Sequence, residues 1–534
     1  MVQGLARARR RRFGLNKTLP RLAGFAVAGL AQALSIAAPW NGQPLWWLQI
    51  LSLAFLVWQL DAIRQRAEPN AWRRGLGYGW VFTTAWLCGT FWWLFISLHT
   101  YGGLAAPLAV IAVFALAAGL ALYYATACAC FVAFAPAGRA WSALFFAALW
   151  TVGELLRNSW FTGFPWGAGG YAHVEGPLAP AAAWVGVYGM GALSAAIAAA
   201  LAMTVRRTPG AASAKRLLPL AGVVAMLLVP TALKGVSDVA GDATLARGKL
   251  GVALLQGNIP QDEKFIPGGG VATALRWYGE QLGAPRASLT ITPETAIPLL
   301  PSQLPNGYLQ GIAERYSTGQ QAAIVGLPIG NGDTYSNAVL GFQPGQTTTY
   351  RYDKHHLVPF GEFVPSVFRW FTNLMNIPLG DFRSGGLGQA PFLWQGQRIA
   401  PNICYEDLFG DEIGANFRDD ASAPTLLLNV SNIAWFGDSI AIDQHLSISR
   451  MRSLEFARPM VRATNTGATV VIDHHGRVTH QLPRLTRGVL EAEVEGRAGR
   501  TPFARWVSTF GLWPLWIASL LVIGATIALS RRRR

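Results

Sequence analysis

The chain has 534 residues, 52% hydrophobic and only 13% charged, with 21 tryptophans and a positive mean hydropathy. That balance excludes an ordinary soluble protein and indicates a membrane protein. The formal charge of +16 would suit a nucleic-acid binder, but much of it lies at the two ends, Arg7 to Arg12 and Arg531 to Arg534, each beside an apolar stretch. Cytoplasmic flanks of membrane spans have this look, and no nucleic acid is expected as a partner.

In chain order, the first half reads as apolar stretches near the roughly 20 residues that cross a bilayer. They fall at 19–38, 44–63, 77–98, 104–134, 141–156, 178–205 and 217–233, with an eighth at 506–529. The first is longer than the apolar run of a signal peptide and is read as a retained helix. Arg64, Arg66, Arg73 and Arg74 follow the second stretch, Arg139 the fourth, and Arg206, Arg207, Lys215 and Arg216 the sixth, whereas residues 40–43 and 99–103 carry no Lys or Arg. The positive-inside rule then places both termini in the cytoplasm and the region after the seventh stretch outside. Almost no ionisable residue is expected within the spans. The segment NSWFTGFPWG at 158–167 interleaves aromatics with Gly and Pro, so it breaks the helix. Its two readings are an interfacial aromatic belt and a substrate-contacting loop.

From about 245 to 500 the pattern changes to that of a soluble α/β domain. Strands are expected at 252–255, 289–291, 323–325, 338–342, 399–403, 426–430, 460–463, 469–472 and 489–494, with helices at 272–282, 309–316 and 443–456. Many strands with intervening helices predict layered sheets and helices. The organisation is thus a membrane domain over 1–238 with about seven helices, a soluble α/β domain over 245–500, and a last span at 506–529.

Cys404 is the only cysteine of the soluble part, since Cys88, Cys128 and Cys130 lie in apolar stretches. It follows a short apolar run, 392–394 and then Ile399, that reads as a buried strand ending in a turn, and strand ends present reactive side chains. By itself the thiol is either a packed inert residue or a nucleophile. Two possible companions also follow strands: Glu294, in Pro293-Glu294-Thr295, and Lys354. A thiol needs a base, and a partly desolvated glutamate serves. A lysine beside both favours the thiolate and holds an oxyanion. The eight histidines show no His-x-x-x-His spacing, and no metal and no cofactor are expected.

Together PET at Glu294, KHHLVPFGEFVP from Lys354 and NICYED around Cys404 resemble the nitrilase superfamily with its Glu-Lys-Cys triad. With QGNIPQ at 256–261, FTGFPWG in the first half and spans on both sides, the chain is similar to the bacterial apolipoprotein N-acyltransferase family along essentially its whole length. The resemblance implies a nitrilase-like αββα sandwich attached to a multi-span α-helical membrane domain. It implies an acyltransferase of the bacterial inner membrane, multi-pass, with its catalytic domain in the periplasm. A phospholipid would be the acyl donor and a diacylglyceryl-modified lipoprotein the acceptor. Cys404 would carry a thioester, Glu294 would be the base and Lys354 would hold the oxyanion. Glu362, Tyr405 and Glu406 match further family positions, as catalytic or as orienting groups. Trp435 matches an aromatic position, with Ile433 where an Asp is common. Phe265 stands where the family often has Trp.

Two rivals are a membrane-tethered nitrilase-type amidase acting on small amides and a non-catalytic receptor or transporter. The amidase needs one span rather than eight, and a transporter needs ionisable residues within its spans. Residues 364–382, with Trp370 and Phe371, are expected as an apolar lid over the site or as an ordinary core helix.

Overall fold

The computed structural model describes residues 19–66, 68–136, 139–205, 222–228, 232, 245–331, 334–346, 348–364 and 382–532. The expected lid therefore lies almost wholly outside the described residues, as does most of the seventh expected span.

The first half is helical: α1 (Leu19–Leu34), α2 (Trp46–Gln65), α3 (Ala71–Phe91), α4 (Ala106–Phe134), α5 (Arg139–Ser159) and α6 (Ala182–Val205). Among the described residues four helices are long and apolar enough to cross a membrane: Trp46–Gln65, Ala106–Phe134, Ala179–Thr204 and Trp513–Arg531. Helix α1 is apolar but shorter, and α3 and α5 carry more polar residues. Helix α3 opens on Arg73 and Arg74 and carries several Gly and Thr, while α5 ends in Glu154 and Arg157. The expectation of almost no ionisable groups in these helices fails at α5, where Glu154 and Arg157 are both buried. Their partners explain why this is tolerated. Glu154 Oε1 accepts from Gly169 N at 2.9 Å, and Arg157 donates to Tyr124 OH at 2.9 Å and to Trp166 O at 2.7 Å. Buried charge persists where it is hydrogen-bonded, and here it pins the loop that leaves α5.

Helix α6 kinks at Gly186 (φ 66), where a Cβ would lie 2.2 Å from the Phe503 ring. The freed N–H of Val187 donates to Glu455 Oε1 at 2.7 Å. The C-terminal stretch is not one span from 506. It divides into α10 (Pro502–Phe510), which buries Phe503, Ala504 and Val507, and α11 (Trp513–Arg532). Gly511 at φ 54 ends α10, because the left-handed conformation that turns the chain suits glycine.

The second half is built on twelve described strands: β1 (Leu245–Gln256), β2 (Leu289–Ile291), β3 (Ala322–Asn331), β4 (Thr334–Phe342), β5 (Tyr350–Asp353), β6 (Phe392–Trp394), β7 (Gln397–Ile403), β8 (Leu426–Ser431), β9 (Met460–Thr464), β10 (Val470–Ile472), β11 (Val478–Gln481) and β12 (Gly488–Ala498). The helices between them are α7 (Gly270–Gly283), α8 (Tyr308–Thr318) and α9 (Ala441–Phe456). The strands form two six-stranded sheets, ordered β12-β1-β2-β3-β4-β5 and β11-β10-β9-β8-β7-β6. In each sheet a central parallel trio, β1-β2-β3 or β7-β8-β9, is flanked by antiparallel strands. The run at 392–403, read as one strand before Cys404, is two: a turn at Gln395 and Gly396, both at positive φ, folds β6 back on β7.

The inner faces meet through Val252, Leu254, Ile291, Ile324, Val339, Ile399, Leu428 and Val461. Each such side chain contributes about 1.5–3 kcal/mol of burial. Helices α7 and α8 cover the first sheet through Leu282, Ile312 and Tyr316. Helix α9 covers the second, and the core beyond it runs on into the membrane helices, joining Ile448 and Met451 to Trp93, Trp166 and Tyr171. The architecture is therefore an αββα sandwich seated by its second sheet on a multi-helix membrane part.

Candidate active site

Glu294 follows β2, Lys354 follows β5 and Cys404 follows β7, so three strand ends converge. Strand β8 lies in the second sheet where β2 lies in the first, and their ends touch: Asn432 N donates to Glu294 Oε2 at 2.8 Å. Oε1 of Glu294 accepts from Asn337 Nδ2 at 2.6 Å and from Lys354 Nζ at 3.3 Å. The same two donors reach Glu362 Oε1, each at 2.9 Å, while Glu362 Oε2 accepts from Val358 N at 2.9 Å. Lys354 is thus held between two carboxylates in a buried site.

This arrangement sets the charges. Burial works to raise the Glu294 carboxyl, but Lys354, Lys264 and the Asn337 and Asn432 hydrogen bonds outweigh it and hold it below the usual carboxylate range. The expectation of a base raised by desolvation is therefore corrected: neighbouring cations win. For Lys354, burial is more than offset by Glu362 and Glu294, and its ammonium is raised. Burial pushes the Cys404 thiol up to about 12, Glu294 adds to the rise and Lys354 opposes it. The resting state is a neutral thiol facing an ionised carboxylate and a fixed cation.

Cys404 is partly exposed and sits at φ 54, a left-handed conformation that costs a non-glycine residue about 1–3 kcal/mol. The surroundings hold it there. Its carbonyl accepts from Asn429 Nδ2 at 3.3 Å and meets His445 Nε2 at 3.2 Å, and that imidazole contacts Asp407 Oδ1 at 2.9 Å. Glu406 ties this turn to the lysine loop. It accepts from Ile403 N at 2.5 Å, His355 N at 2.6 Å and Tyr352 OH at 2.9 Å. Burial pushes its carboxyl up to about 7, against the Ile403 N–H and the charge of Lys354. Its two oxygens thus meet three donors from the nucleophile turn, the lysine loop and β5.

Tyr405 turns away from the sheets towards the membrane part. Its hydroxyl donates to Gly163 O at 3.0 Å, and its ring stacks on Phe164 with centroids 6.4 Å apart. Nearby, Trp93 Nε1 and Trp166 Nε1 both donate to Gln444 Oε1, at 3.0 and 2.8 Å. The aromatic loop at 160–166 therefore has two faces: Phe164 and Trp166 dock on the sandwich, while Trp160 and Phe161 are exposed.

Two expected aromatic positions are not drawn into this network. Phe265 is 52% exposed, and Trp435 is 39% exposed and edge-on to Tyr101 at 6.0 Å. Ile433, where an Asp was weighed, is buried among apolar neighbours. Three participants escaped the sequence reading. Asn337, Tyr352 and Lys264 sit within or beside a strand or turn whose residue types carry no special signal. Lys264 Nζ donates to the backbone carbonyl of Glu294 at 3.3 Å, and burial pushes its ammonium down to about 8 although Glu294 and Cys404 pull it up.

Residues 28–200 match the family model described as the apolipoprotein N-acyltransferase N-terminal domain, and residues 251–503 match that of carbon-nitrogen hydrolase. The apolipoprotein N-acyltransferase of Verminephrobacter eiseniae is 57% identical over 497 residues, covering 91% of this chain and 92% of its own. That of Ralstonia nicotianae is 46% identical over 500 residues, covering 92% and 90%. A solved CN-hydrolase superfamily protein from Xanthomonas campestris is 19% identical with a TM-score of 0.33, covering 50% of this chain and 96% of its own. The chain belongs to the apolipoprotein N-acyltransferase family.

Proposed function

We propose that this enzyme moves an acyl chain from a membrane phospholipid to the N-terminal amine of a diacylglyceryl-cysteine lipoprotein, through a thioester on Cys404. Residues 245–500 carry the chemistry, and 1–238 with α11 hold it in the bilayer. In the first step Cys404 Sγ attacks the sn-1 ester carbonyl while Glu294 takes the thiol proton. Lys354 stabilises the tetrahedral oxyanion. Its collapse breaks the ester C–O bond, and Glu294 returns the proton to the departing lysophospholipid oxygen. In the second step the acceptor amine attacks the thioester carbonyl and gives a proton to Glu294. Collapse breaks the C–S bond, restores the Cys404 thiol and leaves an amide. Glu362 and Asn337 fix Lys354 and Glu294, Glu406 and Tyr405 fix the nucleophile turn, and Phe265 and Trp435 offer exposed aromatic surface to substrate.

The observation that carries this reading is the seat of the nucleophile on the membrane part, where Tyr405 meets Gly163 and Phe164. An amidase of small soluble amides has no use for such a seat, whereas two lipid-bearing substrates require the thiol close to the bilayer. The Lys/Arg distribution supports the bacterial inner membrane, with the sandwich in the periplasm and both termini in the cytoplasm. The test incubates purified enzyme with phospholipid labelled in its sn-1 chain and a diacylglyceryl-cysteine peptide bearing a free amine. The label is expected in an N-terminal amide. Release of free fatty acid with no amide, or turnover of small amides alone, would contradict the proposal.

A further inference from the structure

Lys264 is buried, with 2% of its surface exposed, in the turn between β1 and α7. That turn is fixed from outside: Asn432 Nδ2 donates to Gln261 Oε1 at 2.8 Å, and Asn465 brackets Ile259, accepting from its N–H at 3.0 Å and donating to its carbonyl at 2.8 Å. Asp262 and Glu263 beside it point to solvent, and its own ammonium lies 5.8 Å from the Phe265 ring centroid. An ammonium has three donors. The acceptor it has here is a neutral carbonyl, that of Glu294. A glutamine could make such a bond without the several kcal/mol that burying an ion costs. The charge itself has to be answered by a negative partner, and the groups that face it are Glu294 and Cys404.

From this geometry we infer that Lys264 is a positioning residue for the proposed acylation: it anchors the Glu294 backbone and supplies the second positive charge against which Glu294 and the Cys404 thiolate ionise. The inference rests on the acyl-transfer reading for its role in turnover, but its effect on the thiol is independent of that reading. The charges around Cys404 are Glu294, Glu362, Lys354, Lys264 and Arg462. Arg462 is answered by Asp407 at 3.5 Å, and Glu294 and Glu362 balance Lys354 and Lys264, so the catalytic pocket is neutral before the thiol ionises. Without Lys264 it carries one negative charge at rest and two with a thiolate. Lys354 alone is already shared between two carboxylates, which leaves Lys264 as the cation with hydrogen-bonding capacity to spare. Its lowered pKa, near 8, fits a group whose loss of charge closes the active range on the alkaline side.

The test compares full-length wild type, Lys264→Met, which keeps the length and packing of the stem, and Lys264→Arg. Two readouts are taken across pH: iodoacetamide alkylation of Cys404, followed by peptide mass, and acylation of Cys404 from phospholipid vesicles. A neighbouring opposite charge shifts a pKa by about one unit or more. Lys264→Met is therefore expected to slow Cys404 alkylation about tenfold at pH 7.5 and to move the acid limb of acylation up by about one unit. It should lower kcat with little change in KM, and Lys264→Arg, whose guanidinium stays charged, should keep the wild-type acid limb and lose the alkaline one. Wild-type pH profiles in Lys264→Met would overturn the inference and leave the lysine as packing. If wild type alkylates but never acylates, the acyl-transfer reading fails, while the alkylation comparison still decides the role of Lys264.

Discussion

Replacing Lys354 by Met removes the cation that, among the described residues, is bonded to both Glu294 and Glu362. Its Nζ lies 3.3 Å from Glu294 Oε1 and 2.9 Å from Glu362 Oε1. At an effective dielectric of about 20, each contact is worth roughly 5 kcal/mol of Coulomb attraction before desolvation is subtracted. Breaking a buried ion pair costs a net of about 3–5 kcal/mol. For a domain of 150–250 residues each kcal/mol moves Tm by about 2–4 °C, so a fall of roughly 6–20 °C is expected at pH 8. The pH dependence gives the sharper signature. In wild type Glu294 is held low, so its contribution is present above the unfolded carboxylate pKa and is lost as pH falls through the lower folded value. In Lys354→Met the two carboxylates keep Asn337 as their shared donor, with Lys264 beside Glu294 but no cation between them, and one is raised above its unfolded pKa. The folded state then binds the extra proton, and the destabilisation shrinks between pH 8 and pH 5. Thioester formation should drop about 10²–10³-fold at every pH, since the oxyanion donor is gone. Adding Glu294→Gln should restore much of the stability and none of the activity. Thermal unfolding in detergent and acylation by labelled phospholipid measure the two effects. A pH-independent stability loss, or near-normal acylation, would refute the charge arrangement.

Gln444→Leu orphans the indole N–H of Trp166, while the Trp93 N–H and the Thr90 carbonyl each lose Gln444 but keep each other at 3.0 Å. The buried orphan costs about 1–3 kcal/mol, so unfolding in detergent should show a Tm loss, and an unchanged Tm would remove this contact from the seat of the sandwich. Gly186→Ala forces a Cβ to 2.2 Å from Phe503 at a positive φ, so protein yield and Tm should both fall; a wild-type Tm would mean α10 is free to shift. For orientation, a cysteine placed at Gly268 should be labelled by an impermeant reagent from the periplasm and one at Ala211 only after the membrane is opened. The reverse pattern would invert the topology and exclude a periplasmic acceptor.

Much of the candidate site was legible because it sits where strands end. Glu294 and Cys404 each follow an apolar β-rich run with a turn signal, Lys354 stands in its motif after the polar strand β5, and the fold brings those ends together. The short strands β5, β6 and β11 were harder, because three or four residues carry too little periodicity and β6 merges with β7 into one apolar run. Asn337 was hidden for another reason: it lies inside β4, where an amide among apolar residues gives no sign that its face points at two carboxylates. Lys264 carries no signal in a charged run with Asp262 and Glu263, and its burial depends on Asn432 and Asn465, more than 160 residues later in the chain. In the membrane half, hydropathy found the apolar stretches but not their polar interior. Glu154 and Arg157 read as the end of a helix, yet they hold the loop on which the nucleophile turn rests.

The central claim is a covalent acyl intermediate on one thiol. Purified enzyme is mixed with vesicles of a single phospholipid and no acceptor, quenched in acid, digested and weighed. The peptide containing Cys404 should gain the mass of one acyl chain. The gain should be released by hydroxylamine and discharged by an amine-bearing diacylglyceryl peptide, and it should be absent from Cys404→Ser and Cys404→Ala. An acyl adduct that persists in Cys404→Ala, or amide product formed with no adduct on Cys404 at any time, would contradict the account.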